Sequence, residues 1–517
     1  MKKLSGLLVF LLLAAFLPAE QPSFQSPTFE KPYYRIVFPL EVGPDSWTIK
    51  GIKINGKDWG TFFVFQAGES QNLRKPLPPE NYTVEVDYAW RSGQKYQLAL
   101  FYQREGSAEV EKKVIPLKAP DKGGIPIEAE GFYRVFRAEE PVGMERKGKI
   151  CELTVTAAKE LLAGRELALF EGKKQIPLQI LACREASPPE KVAATHPVTL
   201  TYRLAFPLDM KPFQKKLLLL LSQEGGQPAG ESSFIITGEG VGKTIKNKCL
   251  SLEFHPQSGQ LNIIENFQQG IRLFNKVGVL HWNPGVFIPG IAWDHSFNWN
   301  PPPSFEELVG RYLYISTRRG PLQRIKEVKL EVRYILGAET PYFISETMLT
   351  VKRDLAVSAI RNDEMVFYHE LFDTLIYQDK QGRVVKQPLQ PDPTFADGLV
   401  HVAPDDVAWV GLVNSRQKFG FFSLRLAYAH PSLGLAGSWL NKPGTYFYAP
   451  ANGKYVYWVR PLLYTWSEYP TRDLLTFVPA GSQFYEKNAY LILPLEENLS
   501  KKLDSLLKKL KNPVRVY

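Results

Sequence analysis

Cysteine is scarce in this chain: Cys151, Cys183 and Cys249 are the only three among 517 residues. None falls in a CxxC or CxxH spacing, which argues against a structural zinc module. A disulfide between Cys151 and Cys183, across two strands of one domain, is one reading of the spacing. Buried, unreactive thiols are the other. A second long apolar run is also missing. The one at 7–17 follows Lys2 and Lys3 and precedes small residues. It reads as a secretion signal spanning 1–19, with Ala19 before the cut and Ala15 as the alternative. No cysteine follows it, against a lipid anchor; an uncleaved membrane anchor is the competing reading. After cleavage the chain is expected to be secreted or periplasmic, with no membrane association.

Concentrated positive charge is lacking too. The net charge of +10 falls to 10 − 2 = +8 without Lys2 and Lys3. The basic residues are dispersed, with only a mild cluster at 501–511. Without a basic run or motif, a nucleic-acid partner is not expected, whereas an acidic polysaccharide suits the sign. The GEGVGK segment at 238–243 has the wrong spacing for a phosphate-cradling loop. No EF-hand spacing occurs, so no cofactor is implied, and calcium is conceivable but unsupported. Internal repeats and low-complexity segments are absent.

What the chain has is turns and rings. Forty prolines and 38 glycines indicate many turns, and aromatic residues make up 13%. Short runs of alternating hydrophobicity recur, such as Tyr82, Val84, Val86 and Tyr88, with turn pairs such as Asn55-Gly56 between them. The pattern predicts a mainly β, multi-domain protein. Its parts would be a small immunoglobulin-like β-sandwich at 32–122, a barrel-like β-domain at 131–237 and a large sandwich at 246–517. The five leucines at 217–221 predict a strand buried on both faces. Helical period appears only at the end, where Leu499, Leu503, Leu506, Leu507 and Leu510 form a stripe after Asn498, with Pro513 as a stop.

Seven of the ten tryptophans lie beyond residue 280. Residues 281–300, HWNPGVFIPGIAWDHSFNWN, hold Trp282, Trp293 and Trp299 with His281, Asn283, Asp294, His295 and Asn298. No regular period fits, so the segment reads as an ordered loop, and its mix of indoles and polar groups suits a sugar-binding cleft. A second cluster is RNDEMVFYHELFD at 361–373, containing Arg361, Asn362, Asp363, Glu364, Tyr368, His369 and Glu370. A third is aromatic, including Trp439, Tyr446, Tyr448, Tyr455, Tyr457, Trp458, Arg460 and Trp466. Alternation there puts Trp458 and Arg460 on one strand face, either a sugar platform or core.

Several phrases resemble a family of secreted bacterial proteins, the exo-rhamnogalacturonan lyase-like proteins. They are PVGMERKGKICELTV (141–155), NKCLSLEFHPQSGQLNII (247–264), AVSAIRNDEMVF (356–367) and VPAGSQFYEKNAYLILP (478–494). The resemblance covers roughly 131–494 and implies a RIFT-type barrel followed by a galactose-mutarotase-like supersandwich. These are scaffold phrases, so no catalytic residue is carried over from the family. The helical barrel of larger supersandwich lyases has no counterpart.

Lyases acting on uronate glycans need a base, an acid and a neutraliser for the carboxylate. His295, His369 and Tyr368 are candidates for proton transfer, and Arg361 for the clamp. His281, Trp282, Asn283, Trp293, Asp294, Asn298, Trp299, Trp458 and Arg460 are candidates for substrate binding. The leading expectation is lyase-like β-elimination on an acidic polysaccharide or oligosaccharide. The alternatives are a glycoside hydrolase, which needs two facing carboxylates, and a non-catalytic glycan-binding or scaffold protein. A decisive geometric question is whether His295, Arg361 and His369 converge.

Overall fold

The computed structural model describes residues 23–24, 28–30, 35–121, 133–187, 198–223, 232–391, 398–429, 444–464 and 475–517, apart from positions 44, 60, 61, 68, 89, 163 and 173. The expected signal at 1–19 and the aromatic candidates Trp439 and Trp466 lie outside the described residues. The protein is mainly β, with one α-helix among the described residues.

In the first sheets Asn81–Asp87 lies between Arg35–Glu41 and Phe62–Gln66, and Lys95–Arg104 lies between Trp47–Ile54 and Glu111–Lys118. Ile36, Phe38, Val84 and Val86 from one sheet meet Ile52, Leu98 and Leu100 from the other in one core. The alternation at 82–86 therefore does what period two predicts. Asn55 (φ 50°) and Gly56 (φ 80°) turn the chain between Trp47–Ile54 and Lys57–Trp59; Asn and Gly tolerate this left-handed pair.

The middle sheets are a five-stranded one containing Lys215–Gln223 and Tyr133–Glu139 and a three-stranded one, Arg146–Ala158, Thr199–Met210 and Gln179–Ala186. Among the described residues no hydrogen-bonded closure joins them, so they form two facing sheets where the sequence suggested a barrel. Leu217 to its neighbour positions through 221 are all buried, on both faces. The disulfide reading fails here. Cys151 pairs with Phe206 and Cys183 with Tyr202, so the strand Thr199–Met210 runs between them with a four-residue offset. Two interstrand spacings, about 9–10 Å, are too far for a bridge. All three cysteines are free.

Beyond residue 246 a nine-stranded sheet faces a six-stranded one. The six-stranded order is Ala292–His295, Gly285–Ile288, Ala359–Tyr368, Tyr455–Tyr464, Gly444–Tyr448 and Leu399–Pro404. Leu330, Val332, Tyr334 and Phe343 of the large sheet pack against Ile360, Met365, Phe367 and Trp458 of the small one. The segment 281–300 is thus no plain loop. Gly285–Ile288 and Ala292–His295 form a hairpin about Gly290 (φ 85°).

The helix Leu499–Lys511 buries Leu499, Leu503 and Leu507 against Trp409, Phe422 and Leu491, the predicted stripe. Each buried leucine contributes about 1.5–3 kcal/mol. Past Pro513 the chain returns to the middle sheets, where Arg515–Val516 pairs with Tyr133–Glu139. Arg146, in a buried ion pair with Glu140 at 2.7 Å, caps the helix end by donating to the carbonyls of Lys509 and Asn512.

Candidate functional site

The six-stranded sheet has two faces, and a bulge in Ala359–Tyr368 sorts its polar residues between them. Pairing with Tyr455–Tyr464 shifts register once between Ile360 and Arg361 and again between Asn362, opposite Arg460, and Met365, opposite Trp458. Asp363 takes φ 44° at the irregularity. Such an extra residue breaks the two-residue alternation. As a result Asn362 and Asp363 both point inward, while Arg361 and Glu364 share the outer face.

On the outer face Arg361 lies over the Trp293 ring at 4.3 Å and 3.6 Å from Glu364. Glu364 is 2% exposed, and its Oε2 has no hydrogen-bond partner. Burial lifts its carboxyl to about 7; Arg361 and the Asn283 amide oppose the shift without overcoming it. His295 stacks between Trp293 (5.4 Å) and Phe297 (5.2 Å), and its Nδ1 is 3.1 Å from Asn283 Oδ1. Burial pulls His295 down to about 3, helped by the positive Arg361 and Arg324, so the ring is neutral at pH 7. The hairpin permits this approach only because residue 285 is glycine: a Cβ there would fall 2.2 Å from His295 Nδ1.

Rings continue the row. Trp282 meets Phe297 (5.6 Å) and Tyr455 (6.0 Å), Tyr455 meets Tyr457 (5.7 Å), and Tyr457 stacks on Tyr448 at 4.6 Å. Trp282, Trp293, Tyr455 and Tyr457 are only partly buried. The outer face therefore offers an aromatic strip beside one protonatable carboxyl and one guanidinium.

The structure gathers Trp282, Asn283, Trp293, His295 and Arg361 here. It sends the other candidates elsewhere. Tyr368 and His369 stand at the far end of the strand, roughly 20–25 Å from Arg361 at strand rise. Tyr368 stacks on Phe274 at 5.6 Å, and the partly exposed His369 is 3.9 Å from Glu370. His295, Arg361 and His369 thus do not converge. Asp294 accepts the Arg324 (2.6 Å) and Ile325 (3.0 Å) N–H groups, clamping a loop. Asn298 accepts the His295 N–H at 2.8 Å. His281 is buried against the Tyr334 hydroxyl at 2.8 Å. Trp299 and Trp458 are core residues, and Arg460 is buried between Asp405 (3.1 Å) and Glu486 (3.0 Å). Trp458 and Arg460 do share a face, but it is the inner one, where both are buried. The outward residues of that strand are Tyr455 and Tyr457. Among the described residues no group of three or more His, Cys, Asp or Glu is arranged to hold a metal.

No protein-family model matches the sequence, and no curated protein matches it. Among solved structures, the chain is similar to an alpha-mannosidase from Enterococcus faecalis V583 (TM-score 0.45, 12% identity), over 76% of this chain and 47% of that one. It is similar to a protein in the glycosyl hydrolase family 38 from Enterococcus faecalis (TM-score 0.43, 12% identity), over 74% and 47%. A galactose mutarotase-like protein from Lactobacillus casei ATCC 334 matches at TM-score 0.33 and 12% identity, over 48% of this chain and 99% of that one. The chain thus spans about half the length of the first two.

Proposed function

We propose that the outer face of the six-stranded sheet binds an acidic glycan and performs lyase-like β-elimination on it, with Glu364 transferring the proton. The observation that carries this is the pairing of a carboxyl lifted to about 7 with Arg361 beside a strip of rings. An acid or base poised near the working pH is the most effective kind. The guanidinium suits a uronate carboxylate, whose neutralisation makes the adjacent C–H acidic enough to lose its proton. Ionised Glu364 takes that proton, the C–O bond to the leaving sugar breaks as the C=C bond forms, and Glu364 passes the proton to the departing oxygen. Trp293, Trp282 and Tyr455 suit the carbon faces of pyranose rings. His295, held neutral, suits hydrogen bonding to hydroxyls rather than proton abstraction. Hydrolysis fits less well. Its second carboxylate would have to come from nearby, yet Asp363 faces inward and Asp294 is held by two N–H groups. The depth of Glu364 favours a second reading, glycan binding without turnover. We further propose export, on the pattern of residues 1–19.

Incubation with pectic and other uronate polysaccharides tests the proposal. Elimination gives rising ultraviolet absorbance from unsaturated ends, abolished by Glu364→Gln. New reducing ends without that absorbance mean hydrolysis, and binding without either means a non-catalytic role.

A further inference from the structure

We propose that the protein carries a second binding site, for a carboxylate-bearing sugar, in the cleft between the middle sheets and the nine-stranded sheet. The cleft measures about 740 Å³, inside the roughly 300–1,000 Å³ range of small-molecule sites. It opens on the outer side of the nine-stranded sheet. Ile335 and Ile344 line it, while their neighbours Tyr334 and Phe343 face the sandwich core. The aromatic strip lies across the sandwich from it, so this site stands whether or not Glu364 turns over a substrate.

Its charge is one-sided. Lys147, Lys149, Lys248, Arg311 and Lys487 line it against Glu152 and Glu339, so the lining carries 5 − 2 = +3. The carboxylates are already committed. Glu152 accepts from Arg203 at 2.8 Å, Glu339 pairs with Lys248, and Lys487 reaches Glu346 at 2.6 Å. Among the described residues neither Lys149 nor Arg311 forms an ion pair. Lys149 is partly buried; burial pushes its ammonium pKa down, and Arg146 and Lys487 push the same way against the opposing pull of Cys151 and Glu152. A cation that has lost water and faces other cations is stabilised by an incoming anion. Between the charges the walls are apolar or aromatic, with Ile150, Leu313, Tyr312 and Tyr342. Such walls suit the carbon faces of a sugar ring better than a bare inorganic anion.

Titration calorimetry in a Trp293→Ala background, which weakens the outer face, tests this with tri-galacturonate, neutral tri-galactose and inorganic sulfate. The expected result is binding of tri-galacturonate alone, weakening as salt rises from roughly 20 to 200 mM. Lys149→Met and Arg311→Met should each reduce affinity about tenfold or more, with an unchanged circular dichroism spectrum. Arg311→Met, at a partly exposed position, keeps the test valid should Lys149→Met not fold. Failure to bind tri-galacturonate, equal binding of the neutral sugar, equal binding of sulfate, or indifference to both substitutions in folded protein would each overturn the proposal.

Discussion

Asp363 and Glu364 are adjacent carboxylates on opposite faces of one sheet, and their surroundings are opposites too. Inward, Asp363 accepts hydrogen bonds from Trp458 Nε1 (3.0 Å), the Tyr490 hydroxyl (2.8 Å) and Ser423 Oγ (3.0 Å). Outward, Glu364 is as deeply buried yet keeps one oxygen without a partner. A buried polar group fully met by donors holds a fold together; one left short is the more informative, because structure alone gives no reason for it. Asp363 has its donors, and Glu364 is left one partner short.

That contrast can be broken in order of expected effect. Glu364→Gln should lower turnover by about 10²–10⁴-fold while leaving the chemical-denaturation midpoint unchanged or raised; an unchanged rate would remove Glu364 from the chemistry. Asp363→Ala should do the reverse, costing about 3–5 kcal/mol in urea unfolding because three donors lose their acceptor. Equal effects of the two on stability would erase the distinction between the faces.

A pH series sharpens it further. Between about 4.5 and 7 the folded protein keeps a proton on Glu364 that the unfolded chain has released, so the contribution of this group to stability falls as pH rises through that window. The total is about 3 kcal/mol. His281 and His295, lowered to about 3, act in the opposite sense: the unfolded chain takes up protons below 6.5 and the folded one does not. Between about 4.5 and 6.5 the two histidines outweigh the one carboxyl. Unfolding followed across pH should therefore show stability falling as pH drops below 6.5, and Glu364→Gln should steepen that fall. Smallest is Trp293→Ala, expected to weaken sugar binding by about 1–2 kcal/mol through loss of stacking and of the Arg361 contact; undiminished binding would move the sugar off this face.

Local regularities were legible in the sequence because they are periodic. The leucine stripe at 499–510, the Asn55-Gly56 turn and the alternation at 82–86 each depend on neighbours a few residues away. Within the site, Trp282, Asn283, Trp293, His295 and Arg361 stood out by composition. Glu364 was visible only as one carboxylate among several near Arg361. Its distinction comes from the bulge at Asp363, which puts residues 361 and 364 on one face, and no periodic rule foretells a bulge. The same strand face that holds Trp458 and Arg460 was readable, but which sheet it meets depends on tertiary packing. Pro289-Gly290 between two apolar pairs was the overlooked signal for the hairpin.

The end of the described chain has a consequence for assembly order. Glu139 finds its partner at Arg515, and Arg137 exchanges backbone hydrogen bonds with Tyr517 while its guanidinium reaches Glu85 at 2.9 Å and lies 4.0 Å over Phe63. One edge of the five-stranded sheet must therefore stay open through the synthesis of everything between. An uncovered strand edge is a template for mispairing, so a growing chain has reason to be guarded until residues 515–517 arrive.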